Sequence, residues 1–397
     1  MKKLIGLVLL SACSTMNPGS SGSGDDDGSG GGGGGGTGWK AIPLIDDGNV
    51  QRSGNDLVTG IYFASPDDGY VVTQGDMGSF GDGGAVFKMT GSEVKSVAFS
   101  GKDGGPSELG GVDFVGIDPT PNGLIAFAYS ADVIESTDHG ATFTIQKDGN
   151  LAGIEPLLAA RVTASGTTLV RETGVVSTSP SAPGPSASFT DVWAPNGAPP
   201  TPNPVPANMC QGGPLGTGAP VTRSSVYVSS DRQTIAYTSA PNMDPQICIS
   251  TDGGTSFLPS ILSGIPDAST DGPSKGIAFA NATTAIIYAG NQSDASGTYI
   301  QRSTDAGKTW SPVALPSGIW GHAVALNGAF FAPDAQHGWI VGYDFDATHA
   351  LVLSTSDAGS TWTSEELASD YKLYSGFALD ATHVWVGGEA GTLLAHP

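Results

Sequence analysis

Four aspartates, Asp138, Asp252, Asp305 and Asp357, occupy one place in a recurring octapeptide, Ser/Thr-x-Asp-x-Gly-x-Ser/Thr-aromatic, at residues 136–143, 250–257, 303–310 and 355–362. Surface carboxylates at regular spacing invite a catalytic reading, as general acids or bases. The repetition argues otherwise. Each copy follows an alternating apolar run, such as Ile247-Cys248-Ile249, and ends on an aromatic that opens another. That is the grammar of a hairpin: Asp accepts from nearby backbone N–H groups, Gly takes the φ > 0 position, and the aromatic buries a large area beside the turn. The four aspartates are therefore expected to be structural.

The remaining reactive side chains form no recognisable catalytic set. The six histidines show neither metal spacing nor a His-Glu-x-x-His helix. His337 and His383 fall in equivalent turns and read as structural, while His322 and His349 lie in predicted loops. Acidic stretches such as residues 76–82 offer hard oxygen ligands suited to Ca²⁺ but lack the twelve-residue loop pattern, so solvated turns are expected and no cofactor is implied. Arg161 and Arg223 fall on predicted innermost strands. They are expected to pair with local carboxylates, a small anion site in a central channel being the alternative. Cys210 and Cys248 are expected to bridge, since an even pair commonly does so outside the cytoplasm.

The elements that carry these residues repeat. Asp252, Asp305 and Asp357 lie 53 and 52 residues apart, and Asp138 precedes Asp252 by 114, about two such units. A decayed copy is visible between them, from Gly174-Val175-Val176-Ser177 to Thr190-Asp191-Val192-Trp193. A period near fifty with four short strands reads as a propeller blade. Six units run from residue 61 to about 366, the sixth taken to start at Gly328. A seventh stops one strand short at Leu393-Leu394. Residues 37–44, with Trp39 in the aromatic slot, supply the missing strand and remove an exposed edge. The fold expected is all-β: a single seven-bladed propeller closed by its N-terminal strand, with six blades as the rival count.

In such a fold the loops from second to third strand, and from each fourth strand to the next blade, emerge on one side. Those are the long ones here: 75–84, 101–111, 194–220, 239–245, 290–297, 316–327 and 343–349. Long loops on a rigid scaffold are where binding residues concentrate. Trp320, His322, Tyr343, Phe345 and Asp346 come from adjacent blades and are the candidate binding residues, aromatics beside carboxylates that suit a sugar or a basic peptide.

The octapeptide resembles the Asp-box, or bacterial neuraminidase repeat. Together with the Asp-Gly-Tyr, His-Gly-Trp and His-Val-Trp openings of second strands and the closing Gly387-Gly388-Glu389-Ala390-Gly391-Thr392-Leu393, the chain is similar to the photosystem II stability and assembly factor family and its bacterial relatives. Sialidases share the box, but their first arginine sits in an Arg-Ile-Pro motif, and the nearest match here is Ala41-Ile42-Pro43. Asp-box xyloglucanases use two tandem propellers, and one fits here.

The N-terminus, with Lys2 and Lys3, a short apolar run and then Leu10-Ser11-Ala12-Cys13, looks like a bacterial lipoprotein signal: residues 1–12 the signal peptide, Cys13 the lipidated first residue. Residues 13–38 form a Gly/Ser/Asp-rich tether with a reach of roughly 25–30 Å, and residues 39–397 form the propeller. The formal net charge of −22 repels nucleic acid and anionic lipid. The function expected is a monomeric, non-catalytic scaffold of the cell envelope, held at the outer membrane by its lipid anchor alone and binding a protein or glycan. The alternative is a carbohydrate-active protein, a lectin or a glycoside hydrolase or lyase.

Overall fold

A computed structural model describes residues 38–45, 57–75, 84–90, 93–97, 99–100, 114–121, 123–128, 133–146, 157–181, 188–195, 210, 225–239, 246–262, 276–292 and 295–396. Cys13, Arg223 and most of the long segments before residue 246 lie outside the described residues. Within residues 37–397, the described strands assemble into seven sheets, each beginning with a strand beside the central channel. Among the described residues there is no α-helix, and no helix long and apolar enough to cross a membrane.

Short apolar runs between turn residues dictate the strands. In Ile235–Ser239 and Ala285–Ala289 every residue is buried, as expected of a second strand packed between neighbouring blades. Outer strands such as Thr363–Leu367 bury little. The innermost strands of the first, second, third, sixth and seventh blades each carry a register shift, for example between Leu326 and Gly328. Such bulges bend a strand, here along the channel wall. The core lies between blades: Phe63 of the first blade stacks on Trp385 of the seventh at 3.7 Å, and Ser375 Oγ donates to the Val58 carbonyl at 2.8 Å, closing the ring.

The seventh blade takes its fourth strand from the N-terminal segment. Lys40–Ala41 pairs antiparallel with Leu394 and Ala395, and the Ile42 N–H donates to the Leu393 carbonyl at 2.9 Å. Trp39 packs edge-on against His396. The same segment then adds Leu44–Ile45 in parallel beside Val94 and Lys95 of the first blade. The end of the first blade divides in the same way. Glu93–Ser96 stays in the first blade and Phe99–Ser100 runs parallel to Phe143 and Thr144 of the second.

Two expected loops are shorter than the sequence suggests. The segment 316–327 ends at Ala323, because Val324–Phe331 is all strand, and Gly328 is the bulge within it rather than its start. The segment 343–349 reduces to residues 345–348, because Tyr343, Asp344 and His349 remain paired in the sheet. Cys210 and Cys248 form a disulfide, with a Cα–Cα distance of 5.6 Å.

Candidate functional site

In each of the four turns the aspartate is consumed by the hydroxyls and one backbone N–H of its own turn. Asp305 Oδ1 accepts from Ser303 Oγ at 2.8 Å and from the Thr309 N–H at 2.9 Å, and Oδ2 accepts from Thr309 Oγ1 at 2.6 Å. Asp138, Asp252 and Asp357 repeat the arrangement within about 0.1 Å. The glycine has two reasons to be there. Gly307 has φ +81°, and a Cβ on it would stand 2.0 Å from Ile249 Cδ1 of the preceding blade. Each turn thus wedges against its neighbour, and Arg302 Nε reinforces one wedge by donating to the Ala358 carbonyl at 2.7 Å. These carboxylates cap turns, as the repetition implies. Hydrogen bonds led by that from the Thr309 hydroxyl hold the Asp305 carboxyl down at about 2, and the Thr142 hydroxyl does the same for Asp138.

His337 and His383 are equally local, each bonding the aspartate three residues before it, Asp334 at 2.6 Å and Asp380 at 2.8 Å. On the channel wall Arg161 sits 3.5 Å from Asp118 of the adjacent blade, the local pairing expected for it. The channel encloses a cavity of about 310 Å³ lined by Asp118, Arg161, Tyr227, Phe330 and Tyr374, among others.

The loops around the sixth blade differ in character. At the end of strand Gly338–Asp344 the chain turns through Phe345, Asp346, Ala347 and Thr348, with Thr348 at φ 60°. Asp344 makes that turn: its Oδ1 accepts the N–H groups of Asp346 and Ala347, both at 2.9 Å. Its Oδ2 faces His322 Nδ1 at 2.7 Å, and its side chain is 0 % exposed. His322 arrives on the connection from the fifth blade, which is clamped at several points. Ile319, 1 % exposed, plugs the core. The Ile319 N–H donates to the Pro316 carbonyl and that of His322 to the Ile319 carbonyl, both at 3.1 Å. The Ala323 N–H donates to Asp346 Oδ2 at 3.0 Å, and the Ala323 carbonyl accepts from Phe345 N–H at 2.9 Å. The hydrogen bond to Asp344, and then its charge, push the His322 imidazole above the ordinary histidine range.

Between the plug and the clamp stands Trp320, 72 % exposed. Tyr343 and Phe345 meet edge to face at 5.1 Å, and Lys372 Nζ lies 5.9 Å from the Phe345 ring centre. Lys372 also pairs with Glu389 at 3.3 Å, and Glu389 accepts from the Tyr374 hydroxyl, whose pKa is raised by burial and then by that carboxylate.

The structure therefore brings His322 and Asp346 together through Asp344, joins Tyr343 to Phe345, and leaves Trp320 facing solvent. Sequence reading did not single out Asp344 or Lys372. The i, i+2 pair Asp344-x-Asp346 at a strand end is the one local signal for the former. Nothing local marks Lys372, whose place follows from the docking of the seventh blade.

No protein-family model and no curated protein sequence matches the chain. Solved structures do match in fold. The YCF48 structure from Cyanidioschyzon merolae superposes with a TM-score of 0.61 at 15% identity, over 90% of this chain and 98% of that one. YCF48 bound to D1 peptide gives 0.57 at 12%, over 90% and 96%. A GH74 xyloglucanase from Xanthomonas campestris gives 0.57 at 15% over 90% of this chain. The chain spans about half, 53%, of that enzyme's length.

Proposed function

We propose that this protein is a binding scaffold of the cell envelope, and that its working surface is formed by the connection and the hairpin end that carry Trp320, His322, Tyr343, Phe345 and Asp346. One observation carries the reading: a large aromatic, Trp320, is 72 % exposed on a connection that is itself pinned by Ile319 and by the Ala323–Asp346 hydrogen bond. Exposing an indole gains nothing for folding, while a rigidly presented aromatic loses little entropy when a partner covers it. The partner we infer is a protein segment. YCF48, which shares this fold, has been captured with a peptide, and carboxylates beside the aromatics suit a cationic one. The repeated turns are on this reading Asp-boxes, used to stiffen the ring rather than to react, and Cys13 is the lipidated anchor to the outer membrane.

The test is partner recovery from solubilised envelope using the full chain and its Trp320→Ala variant. A partner retained by the native chain and lost by a variant of unchanged melting temperature supports the reading. Equal recovery by both would place the binding surface elsewhere. A glycan array run in parallel identifies the alternative, a lectin, by saturable binding that Trp320→Ala abolishes.

A further inference from the structure

We propose that His322, Asp344 and Asp346 form a site for one divalent transition-metal ion of the zinc class. The three donor atoms lie within 4.8 Å of one another, and they come from two chain segments. A tetrahedral ion held at about 2.0–2.2 Å by each donor keeps its ligands about 3.3–3.6 Å apart. The 2.7 Å contact between His322 Nδ1 and Asp344 Oδ2 therefore opens by about 0.6–0.9 Å to admit it, through movement of the accessible His322 side chain. The donor set selects the metal. An imidazole nitrogen beside two carboxylates suits zinc and its first-row neighbours, whereas calcium and magnesium want oxygen alone.

Charge supplies an independent argument. Asp344 is a carboxylate with a side chain 0 % exposed, and no lysine or arginine pairs with it among the described residues. Asp346 brings a second carboxylate to the same place, beside the His322 imidazole. Three hydrogen bonds offset part of the cost of burying Asp344, and a cation beside Oδ2 would offset more of it. A divalent cation neutralises both carboxylates and leaves the imidazole as a neutral ligand. The outer shell is already built: two N–H groups fix Asp344 so that Oδ2 points at His322, and the Ala323 N–H fixes Asp346. His322 is 36% exposed in its side chain and Asp346 is exposed, so the ion keeps an open side for water. An ion here would tie the connection bearing Trp320 to the hairpin bearing Tyr343 and Phe345.

This inference stands apart from the partner reading, because it is tested with no partner present. The full chain in detergent, without a polyhistidine tag and stripped with EDTA, is titrated calorimetrically with zinc chloride, and with cobalt chloride by visible absorption. One ion per chain, a raised melting temperature and a cobalt ligand-field band are expected. His322→Ala and Asp346→Asn should each weaken binding at least tenfold. Asp346→Asn keeps an oxygen to accept the Ala323 N–H, so its metal-free chain should keep its melting temperature, whereas His322→Ala removes the partner of buried Asp344 and should lower it. Millimolar calcium should not displace the zinc. Absence of saturable binding below a Kd on the order of 100 µM, or unchanged zinc binding in both variants, overturns the proposal and leaves His322–Asp344 as a hydrogen-bonded latch.

Discussion

Asp305 and its three counterparts show how much can be asked of one short side chain. Two oxygens accept three hydrogen bonds, so replacing the carboxylate opens the turn and frees the glycine wedge beside it. Gly307→Val tests the wedge directly. The branched side chain must enter the space of Ile249 at a φ of +81°, which should cost about 2–4 kcal/mol in urea unfolding. Retention of native stability would show that the blades have room to part. The same carboxylates predict a pH response. The pKa of Asp305 is held at about 2, below the usual 3.9 of an unfolded chain, so its contribution is present above pH 4 and lost as the pH falls towards 2. Asp305→Asn should therefore flatten the dependence of stability on pH between about 4 and 2, and leave it unaltered between 6 and 8. These residues were legible in the sequence because everything they do is local. Asp344 was not, because its meaning comes from His322, 22 residues away and on another blade's connection.

Strands longer than four residues announced themselves as apolar or alternating runs between turn residues, and the missing fourth strand of the last blade announced its replacement. The parallel staples did not. Leu44–Ile45 and Phe99–Ser100 are two residues each, too short for any period, and their pairing is decided by where the preceding blade leaves the chain. The N-terminal segment joins the last blade to the first, so its loss should be felt by both. Deleting residues 39–45 removes the Lys40–Ala41 pairing, the Ile42 hydrogen bond and the packing of Trp39 and Leu44. The expected loss is about 3–5 kcal/mol, seen as a large fall in melting temperature. Deleting residues 20–35 should change it little. Equal effects of the two deletions would rule out closure by this strand. The disulfide acts on a different element: it closes a loop of 38 residues between Cys210 and Cys248. Reduction should lower stability by roughly 4 kcal/mol on the chain-entropy model, and a reduced protein melting with the oxidised one would show that the buried thiols pack as well apart as joined.

For the whole molecule, charge and, on the proposed reading, the Cys13 anchor decide how partners are met. If Cys13 carries lipid, Cys13→Ala should move the protein from the membrane pellet to the soluble fraction or block its processing, and unchanged fractionation would exclude the anchor. A chain with 38 acidic and 16 basic residues also carries a field well beyond any single loop. Such a field governs encounter more than residence: it raises the association rate of a cationic partner and repels anionic ones. At 0.15 M salt the screening length is about 8 Å, so contributions from distant blades fade while those beside the loops persist. The two parts of the binding reading can therefore be separated kinetically with the partner recovered above. Raising salt from about 50 to 300 mM should slow association severalfold and leave dissociation nearly constant. Trp320→Ala should do the reverse, speeding dissociation tenfold or more at every salt concentration. An association rate indifferent to salt would mean that the partner is not cationic, and the acidic composition would then serve solubility alone.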